Sequence, residues 1–193
     1  EDHDSNPIKK GLGKLKTRGA KFVSVNPVRT GYSGIADEWL GIRPGTDGLF
    51  VMSLIRELLR AGKIDEEYLI RYTNVHWLVI QNPGGADHGL FVRDDDDVAQ
   101  CWDGEKQALA ANTDVNAKPT LVGEITLSDG RKAVPSFQLL AEHYLDDQYA
   151  PEAVASKTGI DADTIRRVAT ELAEVAFEQS IELDIEWTDV FGR

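Results

Sequence analysis

The chain has 193 residues, of which 41% are hydrophobic and 28% charged, a balance that fits a globular domain with a core and excludes a disordered chain. Its formal net charge of −12 argues against general binding to a nucleic-acid backbone, which needs clustered Lys and Arg. The single cysteine, Cys101, excludes an internal disulfide and a cysteine-rich metal or iron–sulfur site within the chain. No segment reaches transmembrane length, and the first ten residues lack the apolar run of a signal peptide.

The front of the chain predicts a helix followed by a strand. Asn6 lies near the expected cap of this helix, and Pro7 suits its first turn. The apolar run 22–25 then predicts a strand that ends at Asn26-Pro27, because an Asn-Pro pair marks a turn. Helix followed by strand is half of a βαβ unit.

The next segment predicts a short strand and two helices. The strand lies within 37–44, the first helix runs from Asp47 to a stop near Gly62, and the second lies within 65–74. Apolar residues on one face of the first helix define its expected core side. They are Leu49, Met52, Ile55, Leu58 and Leu59.

The middle of the chain is rich in predicted strands. Residues 76–97 predict a strand, a glycine-rich turn, a second strand and an acidic loop, and a hairpin is predicted around 128–130. Two helices follow. The first begins at Pro151 and ends at Gly159, and the second is capped by Asp161 or Asp163. The core face of the second is expected to comprise Ile165, Val168, Ala169 and Leu172.

These elements predict a mixed α/β fold with a partial Rossmann-like parallel sheet, flanking helices and a strand-rich insert. We expect one structural domain in three parts: an αβ part at 1–75, the insert at 76–135, and a helical segment at 136–193 that returns toward the sheet. The chain begins without Met and ends in a strand-like segment, so we interpret it as an internal piece of a larger protein.

Two polar turns are the strongest candidate for a site, because ligands of open α/β sheets lie beyond the carboxyl ends of the strands. Asn26 offers a donor and an acceptor to a ribose hydroxyl or a base edge, and Arg29 could bind a phosphate through two hydrogen bonds. Thr46 lies where helix amides attract a phosphate or sugar, and the carboxylate of Asp47 could accept from the amino-imino edge of guanine. On chemistry alone, an ordinary helix cap is the favoured role of Asp47, and ligand binding is the alternative.

The joint pattern resembles a known family. A strand ending in Asn-Pro-x-Arg-Thr, followed by "ADEWLGIRPGTDGLF" and an apolar helix, is similar to the molybdopterin oxidoreductases of the dimethyl sulfoxide reductase family. "SNP" before the first helix and "YAPEAVASKTGIDADTIRRVATELA" resemble further segments of that family in the same order. The resemblance covers roughly residues 5–75 and 140–177, and the segment between them matches only as a variable insert.

The resemblance implies that the two turns hold the guanosine end of a molybdopterin guanine dinucleotide. Asp47 takes the position that holds guanine, and Asn26 takes one where the family usually has an acid. The adjoining pocket would be lined by Arg29, Thr46 and further residues of the two turns, and Asn6 would approach the cofactor's phosphates. These further residues are Pro27, Thr30, Pro44 and Gly45.

The resemblance also implies a parent enzyme, a catalytic subunit that transfers oxygen atoms or electrons on a small substrate and uses molybdenum or tungsten. An iron–sulfur cluster would lie outside this chain, so the isolated piece would be inactive. Partners would be the remaining domains and an iron–sulfur electron-transfer subunit, with no nucleic acid and no membrane insertion. Residues 1–7, 17–27 and 187–189 resemble relatives that act on sulfur oxyanions such as sulfite. Other substrates stay open, as does a cytoplasmic or periplasmic location.

Two other interpretations of the turns are kept. The chain could be a non-catalytic module that binds a guanine nucleotide, or a structural α/β interaction domain in which the turns only cap and connect. Elsewhere, the aspartates at 94–97 favour a solvated loop over a calcium site, because the glycine and glutamate spacing of an EF-hand is lacking. Asn82-Pro83-Gly84-Gly85 favours a turn over an anion cradle, and Cys101 favours a packed thiol over a nucleophile.

Overall fold

A computed structural model describes residues 6–180 and 184–188 of the chain, and within them helices and short strands alternate. The α-helices are α1 (Asn6–Thr17), α2 (Asp47–Arg60), α3 (Glu66–Tyr72), α4 (Ser136–Tyr144), α5 (Pro151–Thr158) and α6 (Ala162–Glu178). The strands are β1 (Val23–Val25), β2 (Glu38–Leu40), β3 (Leu78–Gln81), β4 (Gln100–Asp103), β5 (Ala108–Ala111), β6 (Ile125–Thr126) and β7 (Lys132–Pro135). The predicted mixed α/β class is confirmed.

Strands β1 and β2 form a parallel pair, in which Val23 lies opposite Glu38 and Val25 opposite Leu40. The connection between them contains a 3₁₀ turn at Gly31–Gly34. This pair is the parallel sheet of the described residues, and it lies between α1 and α2 in the chain. Parallel strands require such a crossover, because their carboxyl ends must point the same way.

The main core joins β2 to helices α2, α5 and α6. Its buried side chains come from all four elements and the loops between them. They are Leu40, Ile42, Phe50, Leu54, Val154, Ile160, Ile165 and Ala169. Ile42, which lies in the loop between β2 and α2, is only 2% exposed, so that loop is fixed to the core directly.

The predicted core face of α2 was wrong by about one position. The buried residues are Phe50, Ser53, Leu54 and Arg56, whereas Leu49, Met52, Ile55, Leu58 and Leu59 are only half-buried. The reason is that α2 carries apolar residues nearly all round, so periodicity alone cannot select the face. The Arg56 guanidinium is buried because it donates to Asp147 Oδ1 at 3.0 Å and to the carbonyl of Leu145 at 3.3 Å.

The middle of the chain forms two small antiparallel sheets, β3-β7-β6 and β4-β5. The predicted hairpin around 128–130 is present, with Ile125 opposite Ala133. The second strand expected within 76–97 is reduced to isolated bridges at Phe91 and Arg93. Hairpin β4-β5 and helix α4 were not predicted.

The back of the chain contains the two predicted helices. Gly159 ends α5 in the left-handed conformation, with φ of 79°, as expected for a glycine at that position. Asp161 occupies the cap position of α6, as predicted, but its side chain makes no capping hydrogen bond. The buried face of α6 is Ile165, Ala169 and Ala173; Leu172, expected in the core, is 49% exposed.

No helix in the described part of the chain is both long enough and apolar enough to cross a bilayer. Residues 1–5 and 189–193, which include part of the segments that resemble relatives acting on sulfur oxyanions, lie outside the described residues.

Candidate functional site

The two polar turns lie at the same edge of the parallel pair. Asn26 follows β1 directly and donates its backbone N–H to the carbonyl of Leu40, the last residue of β2, at 3.1 Å. The loop that leads to α2 starts at the next residue, Gly41. The carboxyl ends of two parallel strands therefore bring both turns together, which is the arrangement that ligand sites of open α/β sheets use.

The first turn is organised by the side chain of Asn26. Its Oδ1 accepts the backbone N–H of Val28 at 3.0 Å, which closes an Asx turn around Pro27. Among the described residues, no acceptor is assigned to the Asn26 side-chain amide, so this half-buried group presents its donor side. Arg29 and Thr30 follow and are exposed.

The return from the first turn to β2 is fixed by two polar contacts. The hydroxyls of Ser24 and Ser33 share a buried hydrogen bond of 2.7 Å, which holds the 3₁₀ turn against β1. Asp37 accepts the backbone N–H of Phe22 at 2.8 Å and pairs with Lys16 of α1 at 3.0 Å. These contacts hold the pKa of Asp37 below its ordinary value, chiefly through the Phe22 amide and then through Lys16. Asp37 therefore ties α1 to the start of both strands.

Trp39, which the sequence analysis did not select, connects the first turn to the start of the loop that leads to the second. Its Nε1–H donates to the carbonyl of Asn26 at 2.8 Å, and the Arg29 guanidinium carbon lies 6.0 Å from the centroid of its ring. A Cβ at Gly41 would lie 2.9 Å from Trp39 Cη2, so glycine is needed there for the ring to keep its place. Trp39 thus fixes the spacing between the end of β1 and the loop after β2.

The second turn, Pro44–Asp47, leads into α2. Gly45 adopts a φ of 77°, a conformation that few other residues tolerate. The hydroxyl of Thr46 donates to the carbonyl of Arg43 at 2.7 Å, so toward a ligand this oxygen can only accept. Pro44 and Gly45 are exposed and Thr46 is half-buried.

Asp47 is not the cap of α2. Thr46 occupies the cap position, its side chain makes no capping hydrogen bond, and Asp47 is the first helical residue. Among the described residues, no hydrogen bond or ion pair is assigned to the exposed Asp47 carboxylate. The capping role that chemistry alone favoured for Asp47 is therefore absent, and the carboxylate lies beside the amino end of α2.

Helix α5 also fixes the second turn, through hydrogen bonds from Arg43, the residue before it. The backbone N–H of Arg43 donates to the carbonyl of Thr158 at 2.9 Å, and its Nη1 donates to the carbonyl of Ser156 at 2.7 Å. These carbonyls belong to the last turn of α5, where no intrahelical donor is available to them. No local pattern indicates this contact, because Arg43 and Ser156 are 113 positions apart.

Asn6, the remaining predicted site residue, opens α1. Its predicted approach to the cofactor's phosphates stays a prediction, as do the roles of Pro27, Thr30, Pro44 and Gly45.

The other candidate groups have local explanations. Asp94 uses Oδ1 to accept the amides of Asp96 and Val98 and Oδ2 to accept from Gln100, which organises the acidic loop. Cys101 is fully buried, and burial raises the pKa of its thiol to about 11, so it is a poor nucleophile. In the segments that the structure describes, no group of three or more His, Cys, Asp or Glu side chains is placed to hold a metal ion.

Comparisons with known proteins find relatives for nearly the whole chain. It is 48% identical over 198 aligned positions to a sulfite dehydrogenase subunit of Allochromatium vinosum, an alignment that covers 98% of this chain and 20% of that protein. It is 31% identical to a putative catalytic subunit of dimethyl sulfoxide reductase from Halobacterium salinarum, over 82% of this chain and 19% of the relative. The formate dehydrogenase major subunit of Haemophilus influenzae is 29% identical, over 84% of this chain and 15% of the relative.

The chain thus spans about a fifth of the length of the curated relatives it matches. Among solved structures, acetylene hydratase from Pelobacter acetylenicus has a similar fold, with a TM-score of 0.50 and 20% identity, over 92% of this chain and 15% of that one. No family model matches the chain.

Proposed function

Because the chain is homologous to a segment of the catalytic subunits of molybdenum oxidoreductases, we propose that it holds the guanosine end of a molybdopterin guanine dinucleotide. The observation that carries this proposal is the state of Asp47. Its carboxylate follows the carboxyl edge of the parallel pair without a capping role, in a turn that Arg43 holds in place, while Trp39 holds the first turn.

The residues of the two turns fit such a ligand by their chemistry. A carboxylate can accept the two adjacent N–H groups of a guanine edge, which an adenine edge lacks. The Asn26 side-chain amide supplies a donor for an oxygen of the ribose, and the Arg29 guanidinium supplies positive charge for a phosphate. Thr46 Oγ1 suits a ligand hydroxyl, since its own proton is used on Arg43.

The parent protein, in this proposal, is a molybdenum oxidoreductase that acts on a sulfur oxyanion such as sulfite, because the sulfite dehydrogenase subunit is 48% identical to this chain. The molybdenum cofactor would supply the oxygen-atom and electron chemistry, and this chain's residues would bind and orient its nucleotide end. The parent would also carry an iron–sulfur cluster outside this chain and bind an electron-transfer subunit, and tungsten is the alternative metal.

The second candidate is a guanine-nucleotide module or a structural domain without redox function. The turns alone would also support this candidate, because they provide a guanine-type acceptor without any metal ligand. The two candidates differ in what the full-length protein contains.

The test uses the full-length protein that contains this chain, purified from cells that make the cofactor. Molybdenum, tungsten and acid-released guanine nucleotide are measured per polypeptide. We expect about one metal and two guanine nucleotides per chain, as two dinucleotides on one metal require. Guanine nucleotide without metal would support the module, and the absence of both would contradict the proposed function.

A pair of variants separates binding from folding. Asp47→Ala should lower the guanine nucleotide content at least severalfold while the protein stays folded, because its carboxylate makes no capping bond and no assigned hydrogen bond or ion pair among the described residues. The matched control is Asp65→Ala in α3, where Asp65 is a true cap that accepts the Tyr68 amide at 2.9 Å. That control should lose about 1 kcal/mol of stability and no nucleotide. Equal nucleotide content in the two variants would exclude Asp47 from the site.

A further inference from the structure

Arg43 lies between the predicted guanine-binding turn and a helix that is distant in sequence. Three carbonyls at the end of α5 accept from it: Thr158 accepts its backbone N–H at 2.9 Å, and Ser156 and Lys157 accept its Nη1 at 2.7 and 3.4 Å. A cation at the carboxyl end of a helix is favourable, because the unpaired carbonyls carry partial negative charge.

The end of α5 is a firm anchor for such a contact. Thr158 and Val154 are both fully buried, and the Thr158 hydroxyl donates back to the carbonyl of Val154 at 3.0 Å. Gly159 then turns the chain in the left-handed conformation, and a Cβ there would lie 3.7 Å from the Arg43 side chain. The end of α5 is therefore fixed in place, and the Arg43 side chain packs closely against it.

On its other side, Arg43 holds the turn itself. Its carbonyl accepts the Thr46 hydroxyl at 2.7 Å and the Thr46 amide at 3.3 Å. Asp47 is the next residue, so one residue, Arg43, links α5 through its backbone N–H and its guanidinium to the backbone that carries the carboxylate. The position of α2 does not depend on this link, because Phe50 and Leu54 already anchor the helix to the core. The link therefore matters mainly for the turn.

We propose that Arg43 is a positioning residue that fixes the direction of the Asp47 carboxylate, and thereby sets the preference of the site for guanine. This inference rests on the proposed function. Arg43 does not need to touch the nucleotide, because its Nη1 is directed at the carbonyls of α5. Its effect on the ligand passes through the Pro44–Asp47 turn.

The test compares the binding of GMP with that of IMP. IMP lacks the 2-amino group, which would donate a hydrogen bond to the Asp47 carboxylate. Full-length apoprotein is prepared in cells unable to make the cofactor, and the affinities of the two nucleotides are measured by titration. We expect the affinity of the unaltered protein for GMP to be at least about tenfold higher than its affinity for IMP. This ratio corresponds to the free energy of one hydrogen bond to a charged group. Arg43→Met, which keeps the hydrocarbon stem, should lower that preference to less than about threefold.

Two further variants keep the test specific. Arg43→Lys keeps the charge but loses the planar fork, so its preference should fall between those of the other two proteins, and it serves in place of Arg43→Met if that variant does not fold. Arg60→Met, at the far end of α2, is the control and should retain the full preference, because Arg60 only pairs with Glu57 at 3.7 Å. A merely structural role would lower the melting temperature without changing the ratio of the two affinities.

The outcomes distinguish the two proposals. If the unaltered apoprotein does not prefer GMP to IMP, the proposed guanine site fails, and the role of Arg43 fails with it. If the unaltered protein prefers GMP and the Arg43 variants keep that preference, Arg43 is not a positioning residue, while the proposed function stands. Loss of the preference in folded Arg43 variants, with Arg60→Met unaffected, supports the inference.

Discussion

Gly41→Ala should reveal the contact between Trp39 and Gly41, which sets the spacing between the first turn and the loop after β2. The added Cβ would lie 2.9 Å from Trp39 Cη2 and 3.1 Å from Cζ2, and the ring is held by its hydrogen bond to the Asn26 carbonyl. Moving the ring breaks that bond, at about 1 kcal/mol, and overpacking costs about 1–3 kcal/mol in general. The φ of Gly41 is not in the left-handed region, so alanine itself gains about 0.4–1 kcal/mol from the unfolded state. Together these terms give a net loss of about 1–4 kcal/mol.

The decisive measurement is a double-mutant cycle that combines Gly41→Ala with Trp39→Ala. The free energy of unfolding of each protein is measured in urea, with circular dichroism as the signal. Without the ring, Gly41→Ala should stabilise the protein by about 0.4–1 kcal/mol, so the coupling between the two positions should be about 2–4 kcal/mol. Gly48→Ala is the control, because nothing lies within 4 Å of its Cβ and its effect should not depend on Trp39. The same effect of Gly41→Ala in both backgrounds would refute the contact.

Two further predictions concern the scaffold around the site. The folded-state pKa of Asp37 is depressed by the Phe22 amide and by Lys16, so its contribution to stability is present above its ordinary pKa of 3.8 and is lost as the pH falls through the folded value. The urea midpoints of the unaltered protein and Asp37→Asn should therefore differ near neutral pH and converge in acid; a constant difference would contradict this role. Ile165→Ala should cost about 2–5 kcal/mol and Leu172→Ala less than about 1 kcal/mol, because Ile165 is fully buried and Leu172 half exposed; equal losses in thermal unfolding would refute the assigned face of α6.

The parts of the fold that depend on local signals were predictable from the sequence. The strand ending at Asn26, the helix from Asp47 and the glycine that ends α5 were correct, because turn residues and caps act within a few positions. Hairpin β4-β5 was missed, because segments such as Ala108–Ala111 lack the β-branched residues that mark strands.

The face of α2 shows a different limit. A helix that is apolar on several sides offers more than one possible core face, and only the partner elements decide between them. Phe50 and Leu54 contact the core of α5 and α6, while the expected residues Ile55 and Leu58 are half-buried. A tertiary choice of this kind is not encoded in the spacing of one helix.

The residues of the candidate site also fall into two groups, those that the sequence predicted and those that it did not. Asn26, Arg29 and Asp47 were selected from the sequence because they lie in turns with recognisable chemistry. Trp39 and Arg43 were missed because their partners are remote, with Arg43 reaching Ser156 across 113 positions. Residues that hold a site in place are thus harder to find than residues that would contact a ligand.

The Arg43 contact joins the two segments of the chain that carry the motifs of the predicted family resemblance. The segments at 5–75 and 140–177 meet where Arg43 donates to the end of α5 and where α2 packs against α6. The intervening strands have their own core, built on residues such as Leu78 and Ala133, and contribute none of the described hydrogen bonds of the two turns. A change in the insert can therefore leave the turns intact, whereas a change of the Arg43 side chain removes its hydrogen bonds to Ser156 and Lys157. For the same reason, replacing residues in the insert's core should lower stability without altering the preference for GMP over IMP.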